Sequence, residues 1–250
     1  MNAPFLRPFW QRILPHGPLF GILLILLFGI PRFVIVLKSN VTGDFSLLSI
    51  VFVLMWITPF IFLTRLGRRD IGMRKPTHVL WLLYSVVLGI VACSVVFLIG
   101  KVLYDGSISN WFVYIAQSYR VQLGNVSPDD KIIYFLIFSF IGMTFSPIGE
   151  ELLYRGLIHQ SFEHSLSKKK AYLLDSAAFA VTHLAHFGFV YHNQHWQFLF
   201  LPAIFWMLLI FLSGILFSYC RHKSGSILGA MFCHAAFNVA MMYVIFYWII

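Results

Sequence analysis

Charge is what this sequence has least of: Asp, Glu, Lys and Arg make up 11% of its 250 residues. An ordinary soluble domain carries about a quarter, so a water-solvated surface of the usual kind is excluded. Acidic residues are scarcer still, 9 against 18 basic ones, and the net charge of +9 raises nucleic acid as a partner. Placement argues against it. Lys and Arg fall in short clusters between apolar runs rather than along one face of a soluble module, which is how membrane proteins distribute their positive loops. Cysteine is nearly missing as well. Cys93, Cys220 and Cys233 lie in or beside apolar segments with no paired spacing, which excludes a zinc finger or a secreted disulfide framework and leaves them as packing residues. There is no HExxH, no internal repeat and no low-complexity tract.

What is present in excess is apolar side chain, 60% of the residues, with 18% aromatic. Hydrocarbon offers no water to a backbone N–H or C=O, so long apolar runs must close their hydrogen bonds within themselves as helices. The fold class expected is all-α: one integral membrane domain over residues 1–250, a polytopic transmembrane helix bundle of about seven spans plus an interfacial helix. Runs long enough to cross about 30 Å of hydrocarbon occur at 19–37, 46–63, 78–100, 132–148, 171–190, 196–219 and 226–250. The stretch 107–123 is shorter, is interrupted by polar residues and carries Arg120, which fits the interface better than a crossing. The first run is long and ends without a small-residue cleavage site, so it is expected to stay as an anchor.

Arg7 and Arg12 precede the first span, Arg65, Arg68, Arg69 and Lys75 follow the second, Lys168 to Lys170 follow the fourth, and Arg221 and Lys223 follow the sixth. Seven crossings put all of them on one side, and the positive-inside rule makes that side cytoplasmic. The expectation is N-terminus in and C-terminus out, in a prokaryotic inner membrane.

Ionisable residues are few in the spans up to about Gly100 and frequent from Ser146 onward, which places a candidate catalytic core at about 131–250. A carboxylate or imidazole within a lipid-embedded helix costs several kcal/mol unless it faces a polar cavity. The first such segment is SPIGEELLYRG, from Ser146 to Gly156. Ser146 suits an N-cap and Pro147 a first helical position, so a helix is expected to restart there with both Glu residues in its first turns, where the helix dipole favours anions. Glu151 and Arg155, four apart, can pair and leave Glu150 pointing elsewhere. The plainer alternative is a salt-bridge cluster of all three at the cytoplasmic boundary.

The second segment, FAVTHLAH, puts His183 about 13 residues, or about 20 Å of helix, below the Lys168 to Lys170 cluster. His186 can share its face, or serve as a packing or loop residue. In the third, GSILGAMFCHAAFN, His234 and Asn238 lie one turn apart among Gly and Ala residues that permit close helix approach. Each alone is readable as an interhelical hydrogen bond. Together the three segments supply a carboxylate, two imidazoles and an amide, enough to activate a water and stabilise an oxyanion.

EELLYR, FAVTH and HAAFN, in this order and spacing, resemble the three motifs of the CPBP family, the CAAX-protease and bacteriocin-processing membrane proteins, also called the Abi or Rce1-like family. The likeness covers about 145–238; the first hundred residues match only in being hydrophobic. It implies that Glu150 is the catalytic carboxylate, that His183 polarises the water, that His234 and Asn238 stabilise the oxyanion, and that Glu151 and Arg155 hold the helix. Tyr154 stands where the family usually has Phe. The activity implied is hydrolysis of a peptide bond in a membrane-anchored protein or peptide, a C-terminal tail being one known kind of substrate. The partners expected are that substrate and the lipid bilayer, not nucleic acid.

No cofactor is expected, with zinc as the alternative, its ligands then being Glu150, His183 and His234. His192 and His195, in YHNQHWQ, are read as interfacial residues. Two other classes stay open: a non-proteolytic membrane partner of the immunity or chaperone kind, and a small transporter in which buried Glu and His relay protons.

Overall fold

In the computed structural model, the described residues are 5–14, 16–123 and 128–250; the side chain of Arg120 lies outside the description. Among them, five helical stretches are long and apolar enough to cross a membrane: Pro18–Thr42 (α2), Leu80–Tyr104 (α5), Asp130–Glu163, Phe200–Ser224 (α10) and Ile227–Ile249. The outward faces of these helices are apolar. Leu26 and Ile30 on α2, Leu83 and Val87 on α5, and Leu201 and Leu208 on α10 are all exposed, a surface that water would penalise and acyl chains accept. The chain is an integral membrane protein, an all-α helix bundle.

The remaining elements are shorter. Helix α1 (Pro8–Ile13) precedes α2, and α3 (Ser46–Phe62) is apolar with 17 residues. Then come α4 (Arg65–Asp70) and α6 (Trp111–Leu123). At 13 residues α6 is about 20 Å long, too short to cross.

The stretch expected to cross at 171–190 is built differently. Helix α9 (Lys168–Thr182) is capped by Ser167, whose hydroxyl accepts from Lys170 N, and it stops after 15 residues. A 3₁₀ turn (His183–Ala185) and an antiparallel hairpin, β1 (Phe189–His192) with β2 (His195–Phe198), complete the passage. The reason lies in residues 189–198: aromatic and β-branched side chains flank Asn193 and Gln194, both at positive φ (50° and 64°). That is the geometry of a tight hairpin turn, not of a helix.

The basic segments meet at one end of the bundle. Arg7 Nε donates to Leu63 O, Arg74 Nε to Gly225 O, Arg221 Nη2 to Asp70 O, and Lys168 lies 3.0 Å from His222.

Helix α11 (Ile227–Val244) is the centre, packed against α5, α10 and α7 (Pro128–Glu150). Its contact with α5 is backbone to backbone. A Cβ added at Gly89 would run into the Cys233 carbonyl of α11, the close approach that small residues allow between membrane helices.

Candidate active site

Helix α7 does not restart at Ser146. It runs unbroken through Pro147 to Glu150 and passes directly into a π-helix, Glu151–Ile158, all of whose residues are buried. An internal proline removes one N–H and hence one helical bond, a loss that α7's packing on α3 offsets, with Trp56 Nε1 donating to Phe145 O at 2.9 Å. Ser146 caps nothing. Its hydroxyl donates instead to Glu150 Oε2 at 2.7 Å. Short π segments inside helices recur at functional sites, and here the change of winding falls between the two glutamates.

Glu151 belongs to a buried frame. Its Oε1 accepts from Arg155 Nη1 at 3.4 Å, the pairing expected from the four-residue spacing, and from His234 Nδ1 at 2.8 Å. The Arg155 guanidinium lies 4.2 Å from the centre of the Phe179 ring and 3.9 Å, through Nε, from Asp175 Oδ1. Asp175 in turn holds His159 Nδ1 at 2.6 Å. Every charge in this series has a partner of opposite sign, the condition on which buried ions are tolerated. The His234 ring is also stacked on Phe217, at 4.7 Å and 13°, which with the Glu151 bond fixes its orientation.

Glu150 is fully buried and stands apart from that frame. Its Oε2 lies 3.7 Å from His234 Nε2 and its Oε1 2.6 Å from Arg32 Nη2. The first distance lets a single water touch both groups from the cavity side; the second brings in a residue that the motifs do not contain. Arg32 sits on α2, over a hundred residues before the first motif. Gly29, one turn earlier, allows the approach, since a Cβ there would press on Thr182 Cγ2 at 3.2 Å. Arg32 Nη1 then donates to Thr182 Oγ1 at 2.8 Å. The signal was in the sequence: a lone arginine in the middle of the apolar run 19–37 is a functional candidate by default.

His183 ends α9 and opens the 3₁₀ turn. Its Nδ1 donates to Phe179 O at 2.8 Å, so Nε2 is left as an acceptor, 3.4 Å from Arg32 Nη2. His186 presents its own Nε2 to the same guanidinium nitrogen at 3.4 Å. Asn238 donates through Nδ2 to Gly142 O at 2.9 Å, tying α11 to α7. Arg32, Ser146, His183, His186, His234 and Asn238 all line one cavity of about 630 Å³ whose other walls are largely apolar. Glu150 lies just behind that lining, reached past Ser146, His234 and Arg32. His192 and His195 face each other across the hairpin and do not line the cavity.

As placed here, Glu150, His183 and His234 do not fit a zinc site. The Arg32 guanidinium stands against both Glu150 and His183, where a bound cation would meet a fixed positive charge, and Glu150 is already ion-paired to it. Among the described residues no group of three His, Cys, Asp or Glu side chains is spaced to hold a metal ion.

The family model described as Type II CAAX prenyl endopeptidase Rce1-like matches residues 132–240. Over these residues the chain is similar to the Rce1-like family. The matched segment holds Glu150, Glu151, Arg155, His183, His234 and Asn238, and it agrees with the resemblance carried by EELLYR, FAVTH and HAAFN. The Rce1-like segment covers less than half of the chain and leaves out α2, and with it Arg32. No curated protein and no solved structure matches the chain. The similarity is to a family of CAAX-type membrane proteases.

Proposed function

We propose that this protein is a glutamate-dependent intramembrane endopeptidase that shortens a membrane-anchored protein or peptide, with its N-terminus and basic end in the cytoplasm. The observation that carries the reading is the meeting of three separated segments: Glu150 Oε2 and His234 Nε2 3.7 Å apart, behind a cavity that His183 and Asn238 also line. A water touching both the carboxylate and the imidazole nitrogen from the cavity side is placed for general-base activation.

In this reading Glu150 takes a proton from water as its oxygen bonds to the scissile carbonyl carbon, and later returns it to the departing amine nitrogen. His234, with Nδ1–H spent on Glu151, turns Nε2 to the same water and shares its orientation. His183 offers an acceptor at Nε2, suited to a water or a substrate N–H. Asn238 has one amide hydrogen on Gly142 O and a second for the carbonyl oxygen. Water exclusion strengthens each of these contacts relative to solution. The apolar walls fit an extended tail or its lipid anchor.

Comparing the C-termini of membrane proteins in cells carrying the intact protein and Glu150→Gln tests this. A tail that persists only with the variant is the expected outcome. Identical termini in both, with the variant folded and its cellular effect retained, would mark a binding protein instead.

A further inference from the structure

We infer that Arg32 is a catalytic residue, the cationic oxyanion donor of the active site, which exchanges the Glu150 carboxylate for the oxygen anion of the tetrahedral intermediate as Glu150 takes up the proton of water. The inference rests on the endopeptidase reading and adds to it a residue from outside the family-matched segment.

The donor inventory leads there. A tetrahedral intermediate puts a full negative charge on the former carbonyl oxygen, and that charge needs donors aimed at it. His183 presents an acceptor, His234 has its Nδ1–H on Glu151, and Asn238 has one hydrogen left. None of these is a cation with donors to spare. Arg32 is one. It is 1% exposed, lines the cavity, and carries five N–H donors. Nη1 uses one on Thr182; Nη2 faces Glu150, His183 and His186; Nε has no hydrogen-bond partner among the described residues. Buried donors of this kind are seldom left unpaired.

Charge balance gives the step its logic. Before attack, the site holds the Glu150 carboxylate and the Arg32 guanidinium, 2.6 Å apart. Attack forms the bond from water oxygen to carbonyl carbon, moves the C=O π pair onto oxygen, and transfers the water proton to Glu150. The negative charge leaves the carboxylate and appears on the oxyanion, so the guanidinium faces one anion throughout. Collapse reverses the movement: the C–N bond breaks, the proton passes from Glu150 to nitrogen, and the carboxylate pairs with Arg32 again. In a water-poor site this spares the cost of an uncompensated charge at either stage.

The test uses full-length protein in proteoliposomes with a lipidated tail peptide that the intact protein cuts. Arg32→Gln is expected to lower kcat on the order of 100-fold, the loss of one oxyanion donor, with KM within a few-fold. Arg32→Lys, a point charge without the fork, is expected to fall between. The double variant R32Q/E150Q is expected to melt above R32Q, because it no longer buries an unpaired carboxylate. Folded R32Q with the intact kcat overturns the inference and leaves the endopeptidase reading standing. E150Q as active as the intact protein, or no cleavage by the intact protein at all, overturns both. Should R32Q not fold, R32K decides: full kcat assigns Arg32 a structural role only, whereas reduced kcat with an unchanged melting temperature supports the oxyanion role.

Discussion

The first hundred residues and the Rce1-like segment, residues 132–240, are built of similar apolar helices and bury very different side chains. Among the described residues of the first, the buried polar ones are Arg32, Ser39, Thr58 and Ser85, a single charge among hydroxyls. In the second they include Glu150, Glu151, Arg155, His159, Asp175 and His234. Both parts dissolve in lipid, but only the second carries a continuous series of ion pairs, from His159 through Asp175, Arg155 and Glu151 to His234. The difference is that the buried ion series lies in one part, whereas the cation beside Glu150 comes from a helix of the other that looks like plain hydrocarbon filler.

The largest effect expected from breaking this contrast is at Arg155. Replacing it by Met keeps volume but leaves Glu151 and Asp175 buried with one partner fewer each. The loss should be about 3–5 kcal/mol, the usual consequence of removing one member of a buried pair, read from denaturant unfolding in detergent. Retained stability within about 1 kcal/mol would mean that the ion series frames nothing. A smaller effect is expected at Asn238. Asn238→Ala removes the bond to Gly142 O, about 1 kcal/mol, and should lower turnover more than stability, since it also takes away the remaining amide hydrogen. A variant with unchanged kcat would show that Asn238 only ties α11 to α7.

The smallest effect belongs to the N-terminal part, outside the spans. His16 stacks on Phe5 at 4.1 Å and on His164 at 4.4 Å, and burial, with the nearby His164 charge, lowers its pKa from the usual 6.5 to about 4. A base with a lowered pKa in the folded state binds fewer protons folded than unfolded between those two values. Stability is therefore full above about pH 6.5 and declines as pH falls toward 4. Partial exposure makes the change modest. Melting temperature measured from pH 7 to pH 4.5 should drop less in His16→Phe than in the unaltered protein; parallel curves would remove His16 from the account.

Much of this molecule was legible before any coordinates. Apolar run length carried the bundle, and residues 107–123 were readable as too short and polar to cross. The i,i+4 spacing carried the Glu151–Arg155 pair, and the ordered motifs put His183, His234 and Asn238 on one cavity, with Glu150 behind its lining. What was not legible has physical reasons. Pro147 reads as a helix start because propensity is local, while tertiary packing on α3 lets α7 run through it. Residues 171–190 read as one span because hydropathy does not register that α9 ends at Thr182 and the chain turns through His183–Ala185 and Gly188, at φ 124°. Arg32 has no polar neighbours in sequence to mark it, and its role beside Glu150 comes from a contact 118 positions away.

The central claim is that the Glu150 carboxylate activates water to cut a peptide bond within the membrane. It is tested most directly by incubating the purified full-length protein in proteoliposomes with lipidated tail peptides in ¹⁸O-water, and weighing the products. The account predicts shortened peptides with one ¹⁸O in the new carboxyl group, formed by the intact protein and not by Glu150→Gln. Equal yields from both proteins, or intact peptides throughout, would contradict it.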